Sequence, residues 1–262
     1  MSDLFCVILL GLIEGITEFL PISSTGHLLI AERWLGSRSD TFNVVIQAGA
    51  ILAVVFIYRQ RLWQLAAGFG QRESRDYALK LAAAFLITAV FGFAVIKLGF
   101  KLPETITPVA WALLLGGIWM IAAERLAARR GDSTHISWPV AILVGVAQVV
   151  AAIFPGTSRS AATIFVAMLA GTGNRPAATE FAFLVGIPTM FAASGYELLK
   201  QLKHGEAHEN WVALALAFVV ATVTAFVAVK WLLRYIQTHR FTAFALYRVL
   251  LGAALLLFLP NG

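Results

Sequence analysis

The chain has 262 residues, of which 60% are hydrophobic and 13% are charged, and its formal net charge is +6. This composition excludes an ordinary soluble domain, and the long continuous apolar runs strongly favour helices over a transmembrane barrel, whose strands would give short alternating segments. The single cysteine, Cys6, excludes an intrachain disulfide and a multi-cysteine metal site. The sequence therefore predicts an all-α polytopic membrane protein.

The first apolar stretch, residues 4–20, is followed by Pro21 and then by a second stretch at residues 28–35. The second stretch is too short to cross a hydrocarbon core, which needs about 20 helical residues. Proline disfavours helical geometry in the residue before it, so the first helix is predicted to end there, and Ser23 or Ser24 is predicted to cap the next one. The two stretches are therefore predicted to form a re-entrant pair with a loop at membrane depth.

Six later segments are long and apolar enough to be predicted as membrane crossings. They are residues 42–58, 77–98, 109–127, 178–199, 211–233 and 241–259. Between the third and fourth crossings, residues 138–173 form an apolar region that is interrupted by PGTSRS at residues 155–160. This region is predicted to be a second re-entrant pair.

The second pair aligns weakly with the first. The matching positions are Gly11 with Gly145, Glu14 with Gln148, Pro21 with Pro155, and Ser24 with Ser158. Because three crossings separate the two copies, their membrane orientations are predicted to be opposite. The predicted architecture is a single membrane domain built as an inverted-topology repeat, with six transmembrane helices, two re-entrant pairs, and halves of roughly residues 1–126 and 127–262.

Basic residues are concentrated in the loops at residues 59–75, 125–130 and 230–240, which the predicted crossings place on one side. That side is predicted to be cytoplasmic, since the opposite loops have a thinner basic content. Topology thus accounts for the positive charge, and no nucleic-acid-binding motif accompanies it.

Glu14 and Glu18 are four residues apart, so a helix places both carboxylates on one face, where like charges repel. A cation is therefore expected beside them. Their oxygen ligands favour Mg²⁺ or Ca²⁺, which could bridge to phosphate. The structural alternative is a buried pair that is neutralised by an arginine or lysine from another helix.

Two helices are predicted to begin inside the membrane, one near Ser24 and one near Ser158, and their free N–H groups would form an anion site. Arg159 adds a cation with the two-pronged geometry that suits phosphate oxygens. The residues grouped with this anion site are Ser23, Thr25, Gly26, Ser158, Arg159 and Ser160. Helix capping alone can explain any one of these hydroxyl groups, so only their grouping is informative.

Ser24 is the candidate nucleophile, and His27 lies three residues later on the same helical face. The histidine could activate the serine or protonate a leaving group, although it could also be a packing residue. A metal-activated water is the alternative nucleophile. Gln148 and Glu180 are additional candidates for lining the site, and a structural role for Glu180 is equally compatible with the sequence.

The segment EGITEFLPISSTGH at residues 14–27 and the segment PGTSRSAAT at residues 155–163 closely resemble the two signatures of the undecaprenyl-diphosphatase family, also called bacitracin-resistance proteins. Residues 47–55, 180–188 and 241–248 also resemble family segments, in the same order. Ala161 departs from the family pattern, which usually has glycine there.

The resemblance implies an integral membrane phosphatase that hydrolyses a C55 polyprenyl diphosphate to the monophosphate and so recycles the lipid carrier for cell-wall synthesis. It implies a divalent-metal requirement and a location in the bacterial cytoplasmic (inner) membrane, with the site opening to the periplasmic or outer face. The implied roles are metal or acid-base carboxylates for Glu14 and Glu18, nucleophile for Ser24, its partner for His27, phosphate binding for Arg159, and support for Thr25, Ser158, Ser160 and Thr163.

A rival hypothesis is a polyprenyl-phosphate flippase or an anion-binding secondary transporter, because inverted repeats with broken helices are also a transporter architecture. The sequence leaves the oligomeric state open, including a homodimer.

Overall fold

A computed structural model describes residues 3–98, 105–129, 131–204 and 210–259, and the regular secondary structure of these residues is entirely helical. The helices in the described ranges are α1 Asp3–Thr17, α2 Ser24–Leu35, α3 Asp40–Ile57, α4 Arg59–Ala67, α5 Arg72–Lys97, α6 Ile106–Ala127, α7 Trp138–Ile153, α8 Arg159–Ala170, α9 Arg175–His204, α10 Trp211–Thr238 and α11 Thr242–Phe258. The predicted all-α class is confirmed.

Five of the described helices, α3, α5, α6, α9 and α10, are long and apolar enough to cross a membrane. They correspond to the first five predicted crossings, and they make the chain a multi-pass membrane protein. The last predicted crossing is α11, which has 17 residues. At 1.5 Å per residue it is about 25 Å long, at the short end of what a crossing needs.

The sequence does not predict helix α4, because its basic residues are typical of a loop beside a membrane helix. Its composition of arginine, glutamine, leucine and alanine favours a helix. Leu65 is buried and anchors α4 to the main hydrophobic core. The positive-inside pattern determines the side of the membrane on which a segment lies, but it does not predict whether the segment is helical.

The two predicted breaks are present. Helix α1 ends at Thr17 and α2 begins at Ser24, while α7 ends at Ile153 and α8 begins at Arg159. None of these four helices exceeds 16 residues. Each pair therefore consists of two short helices that are separated by a loop.

The broken pairs pack against long helices in matching ways, α1 against α10 and α7 against α5. Glycine permits both contacts. A Cβ at Gly15 would lie 2.6 Å from the carbonyl oxygen of Ala221, and one at Gly145 would lie 2.8 Å from that of Ala84. The helices that follow the two loops, α2 and α8, both pack against α6, which brings the two loops together. The Ser160 hydroxyl, at the start of α8, donates to the Leu20 carbonyl oxygen in the other loop at 3.0 Å.

Candidate active site

The two loops border a cavity of about 200 Å³. Seven residues that were predicted from the sequence line it: Glu18, Ser23, Ser24, Thr25, Gln148, Ser158 and Arg159. The other predicted residues, which are Glu14, Gly26, His27, Ser160, Thr163 and Glu180, lie outside the lining. Three polar lining residues were missed, namely Gln47, Thr88 and Thr189. They lie within long helices, where the residue type alone does not show whether a hydroxyl or amide faces the cavity or a neighbouring helix.

Glu18 joins the two halves of the site. One of its carboxylate oxygens accepts a hydrogen bond from the Ser24 hydroxyl, and the other accepts one from the Arg159 guanidinium in an ion pair. Glu18 is buried, so water screens this ion pair little. Arg159 is thus the cation expected beside the carboxylates. The Ser24 proton already lies on a hydrogen bond to a potential general base.

Glu14 lies one turn before Glu18 and is fully buried, and neither of its carboxylate oxygens has a hydrogen-bond donor among the described residues. An unpaired buried carboxylate is costly and needs a proton or a cation. Within the same ranges, no group of three or more His, Cys, Asp or Glu side chains could hold a metal. Two carboxylates, completed by water and phosphate oxygens, are nevertheless a ligand set that Mg²⁺ commonly uses. Glu14 and Glu18 therefore fit a divalent cation.

The expected pairing of His27 with Ser24 is not what the structure has. The His27 Nδ1 atom lies 2.7 Å from the Ser23 carbonyl oxygen, and its Nε2 atom lies 2.6 Å from the Tyr247 hydroxyl. A carbonyl oxygen only accepts, so Nδ1 carries the proton of the neutral ring and Nε2 accepts from Tyr247. With both nitrogens occupied and the Ser24 proton directed to Glu18, the ring is not placed to activate the serine.

Three of the hydroxyl groups predicted to bind phosphate are committed to hydrogen bonds within the protein. Ser160 donates to the first loop, so the Ser158 hydroxyl, 3.1 Å from that of Ser160, is the donor between the two serines, and it also accepts from the Ala161 N–H. The Thr163 hydroxyl lies 2.8 Å from the carbonyl oxygen of Arg159, in its own helix.

Gly26 packs against α6, where an added Cβ would lie 3.1 Å from Val109.

The N-caps of α2 and α8 share an unusual backbone conformation. Ser23 has φ 74° and Ser158 has φ 68°, and no other non-glycine residue in the described ranges has a positive φ. Such strain persists where the surrounding structure enforces it, and it often marks functional sites. The caps also correct the alignment of the two pairs. Ser23 matches Ser158, so Ser24 matches Arg159, because the second loop has one more residue between its proline and its cap.

Arg248 was missed as a functional residue, although an arginine inside an apolar helix is a signal in itself. It is fully buried in α11, and its guanidinium donates to backbone carbonyl oxygens of both loops. The distances are 3.4 Å to Pro21, 2.9 Å to Gly156 and 2.9 Å to Thr157. Further bonds reach Ala112 and Leu113 in α6. Arg248 therefore holds the two loops in fixed relation.

Glu180 belongs to a separate ion pair. Its carboxylate accepts from Arg61 at 3.0 Å, and the Arg61 guanidinium lies over the Tyr77 ring. The expectation that Glu180 lines the site is not met, since a basic residue of α4, the unpredicted helix, neutralises it outside the cavity.

Comparison with known proteins identifies the family of the chain. Residues 7–254 match the family described as Bacitracin resistance protein BacA. The chain belongs to this family. It is 70% identical over 249 residues to an undecaprenyl-diphosphatase of Rhizobium etli (strain CIAT 652), with 95% of this chain and 94% of the relative covered. It is 65% identical over 261 residues to an undecaprenyl-diphosphatase of Xanthomonas euvesicatoria pv. vesicatoria (strain 85-10), with 99% and 98% covered.

Ala161, which stands where the family pattern usually has glycine, fits into the protein interior without disturbing the start of α8. Ala161 is 1% exposed, and its backbone N–H donates to the Ser158 hydroxyl at 3.3 Å. The methyl group of this BacA family member is thus packed in the protein interior, and the backbone bond that caps α8 is intact.

Proposed function

We propose that this chain hydrolyses undecaprenyl diphosphate to undecaprenyl phosphate and inorganic phosphate. The observation that carries the proposal is the contact of Glu18 with both Ser24 and Arg159 at the wall of a cavity between the two loops. A base, a nucleophile and a phosphate-binding cation are the groups that phosphoryl transfer needs. The names of the two relatives support the choice of substrate.

In the first step, the Ser24 oxygen attacks the terminal phosphorus while its proton passes to Glu18. The bond from that phosphorus to the bridging oxygen breaks, and undecaprenyl phosphate leaves. Arg159 stabilises the charge on the transferred phosphoryl group. In the second step, water attacks the phosphoserine, the bond between phosphorus and the Ser24 oxygen breaks, and a proton returns to the serine through Glu18.

The residues proposed to hold a divalent cation, Mg²⁺ or Ca²⁺, are Glu14 and Glu18, as the unpaired oxygens of Glu14 support. When bound, such a cation neutralises negative charge on the diphosphate. Arg159 also neutralises negative charge on the diphosphate, with a permanent positive charge. Arg248 keeps the loops next to Ser24 and Arg159 at a constant separation.

The proposed architecture is an inverted-topology repeat in which α11 is the sixth crossing. Its support is the matched packing of α1 with α10 and of α7 with α5, together with the matched N-caps Ser23 and Ser158. In this proposal the enzyme lies in the bacterial cytoplasmic membrane, and its site opens to the outer face, away from the basic loops.

The proposed orientation can be tested with single cysteines in a Cys6→Ala background. Ser37 and Gln71 are both exposed, and they lie in loops assigned to opposite sides. Ser37→Cys should react with an impermeant thiol reagent added to intact cells, whereas Gln71→Cys should react only after the membrane is permeabilised. Labelling of Gln71→Cys in intact cells, with Ser37→Cys protected, would reverse the orientation.

The proposed reaction predicts that the purified protein releases inorganic phosphate from undecaprenyl diphosphate in detergent and that EDTA abolishes the release. Added Mg²⁺ or Ca²⁺ should restore it. Detergent removes the two compartments that a transporter needs, so a flippase or anion carrier would release no phosphate. Release that is unaffected by EDTA would exclude the metal role but keep the phosphatase.

A further inference from the structure

Gln148 is a buried residue of α7 that lines the cavity, and the reaction just described gives it no role. It is 1% exposed. Its amide nitrogen donates to the hydroxyl of Thr88, in α5, at 3.0 Å, and Thr88 also lines the cavity. The two side chains thus form a polar pair beside Glu18, Ser24 and Arg159.

Thr88 determines which way the Gln148 amide faces. The Thr88 hydroxyl lies 2.9 Å from the carbonyl oxygen of Ala84 and 3.1 Å from that of Gly145. Both are acceptors, so the single hydroxyl proton points to them, and toward Gln148 the hydroxyl can only accept. The amide NH₂ group must therefore face Thr88, which leaves the amide oxygen on the other side.

The amide oxygen of Gln148 has no hydrogen-bond donor among the described residues. A buried acceptor without a donor is unfavourable, and Gln148 borders the cavity, so the missing donor is to be sought there. Ionised phosphate groups offer only acceptors. The reactant with O–H donors is water, which hydrolysis consumes.

We infer that Gln148 accepts a hydrogen bond from the water that attacks the phosphoserine on Ser24, with Thr88 as the positioning residue behind it. This inference rests on the proposed function. The water oxygen forms the new bond to phosphorus while the bond from phosphorus to the Ser24 oxygen breaks. The proton that Glu18 took from Ser24 in the first step returns to the Ser24 oxygen, and both water protons stay on the new phosphate. Gln148 orients the water and takes no proton.

An amide suits this role better than a carboxylate. Glu14 occupies the position in α1 that the alignment matches with Gln148, so the repeat places an acid in one half and its neutral analogue in the other. A second carboxylate on this wall would repel the phosphate, whereas an amide oxygen accepts a hydrogen bond without adding charge.

The test is Gln148→Met, which keeps the length of the side chain and removes the acceptor. Undecaprenyl phosphate and inorganic phosphate are measured separately, and Ser24 is examined for phosphate by mass spectrometry. Loss of water positioning should slow the release of inorganic phosphate about 10- to 100-fold. Undecaprenyl phosphate should still appear in an initial burst of about one equivalent per enzyme, with phosphate accumulating on Ser24.

Two substitutions at Thr88 test its role as the positioning residue: one removes the hydroxyl, and the other keeps it. Thr88→Val removes the hydroxyl at nearly constant volume, so it should cause a smaller accumulation of the same phosphoserine, and Thr88→Ser should not. Gln64→Met, at an exposed position of α4, makes the same substitution away from the cavity and should behave as wild type.

Two results would overturn the role of Gln148. One is phosphate release at the wild-type rate by both Gln148→Met and Thr88→Val. The other is slow release without phosphoserine, or with a raised metal requirement, which would place Gln148 in the first step or at the cation. Failure of the wild-type protein to release phosphate would instead overturn the proposed function itself.

Discussion

Glu18→Gln should lower the rate of phosphate release by at least about a thousandfold, because one carboxylate has two separate duties. A glutamine has one oxygen and one NH₂ group where the glutamate has two acceptor oxygens. If the amide oxygen accepts from Arg159, the NH₂ group faces Ser24 and donates to it, which reverses the hydrogen bond that the serine makes now. The serine proton then has no base.

Glu180→Gln is the matched control for this change. It also neutralises a carboxylate that pairs with an arginine, Arg61, but it lies outside the cavity. It should keep near wild-type phosphate release, and both variants should give the same elution profile and helical circular dichroism as the wild type. Wild-type turnover by a well-folded Glu18→Gln protein would remove Glu18 from both the base and the metal roles.

Sequence patterns predicted most of the fold because the membrane constrains it strongly. Apolar length predicted the five helices that are long and apolar enough to cross a membrane, and the two prolines together with the serines after them located both breaks. Helix α4 was missed because it is amphipathic and short. The register of the second loop was wrong by one residue, since equal spacing from a proline does not determine which serine caps the helix.

The site was predicted less completely, for a physical reason. Residues such as Ser24 and Arg159 belong to local motifs whose chemistry is visible in the sequence. The sequence does not show which residue of another helix a polar side chain contacts, because that contact depends on how the helices rotate and pack. This explains why His27 was paired with Ser24 rather than with Tyr247, and why the contacts of Arg248 with both loops were not foreseen.

The second large effect is expected for Ser24→Ala, which should lower phosphate release by about a thousandfold or more because it removes the proposed nucleophile. Ser158 supplies the matched control. It is the N-cap of α8 in the other broken pair and has the same polar side chain, but its hydroxyl is committed to Ser160 and to the Ala161 N–H. Ser158→Ala removes a helix cap, worth about 1 kcal/mol of stability, and it should retain far more activity.

The decisive measurement is made on the wild-type protein. After rapid mixing with undecaprenyl diphosphate and an acid quench, mass spectrometry of the peptide that contains residues 14–27 should find phosphate on Ser24 and not on Ser23. The distinction matters because the Ser23 hydroxyl accepts from the Gly26 N–H as the helix cap, whereas the Ser24 hydroxyl donates to Glu18. If Ser24→Ala keeps near wild-type rates and no phosphoserine forms, the nucleophile is water, and Glu18 acts as its base directly.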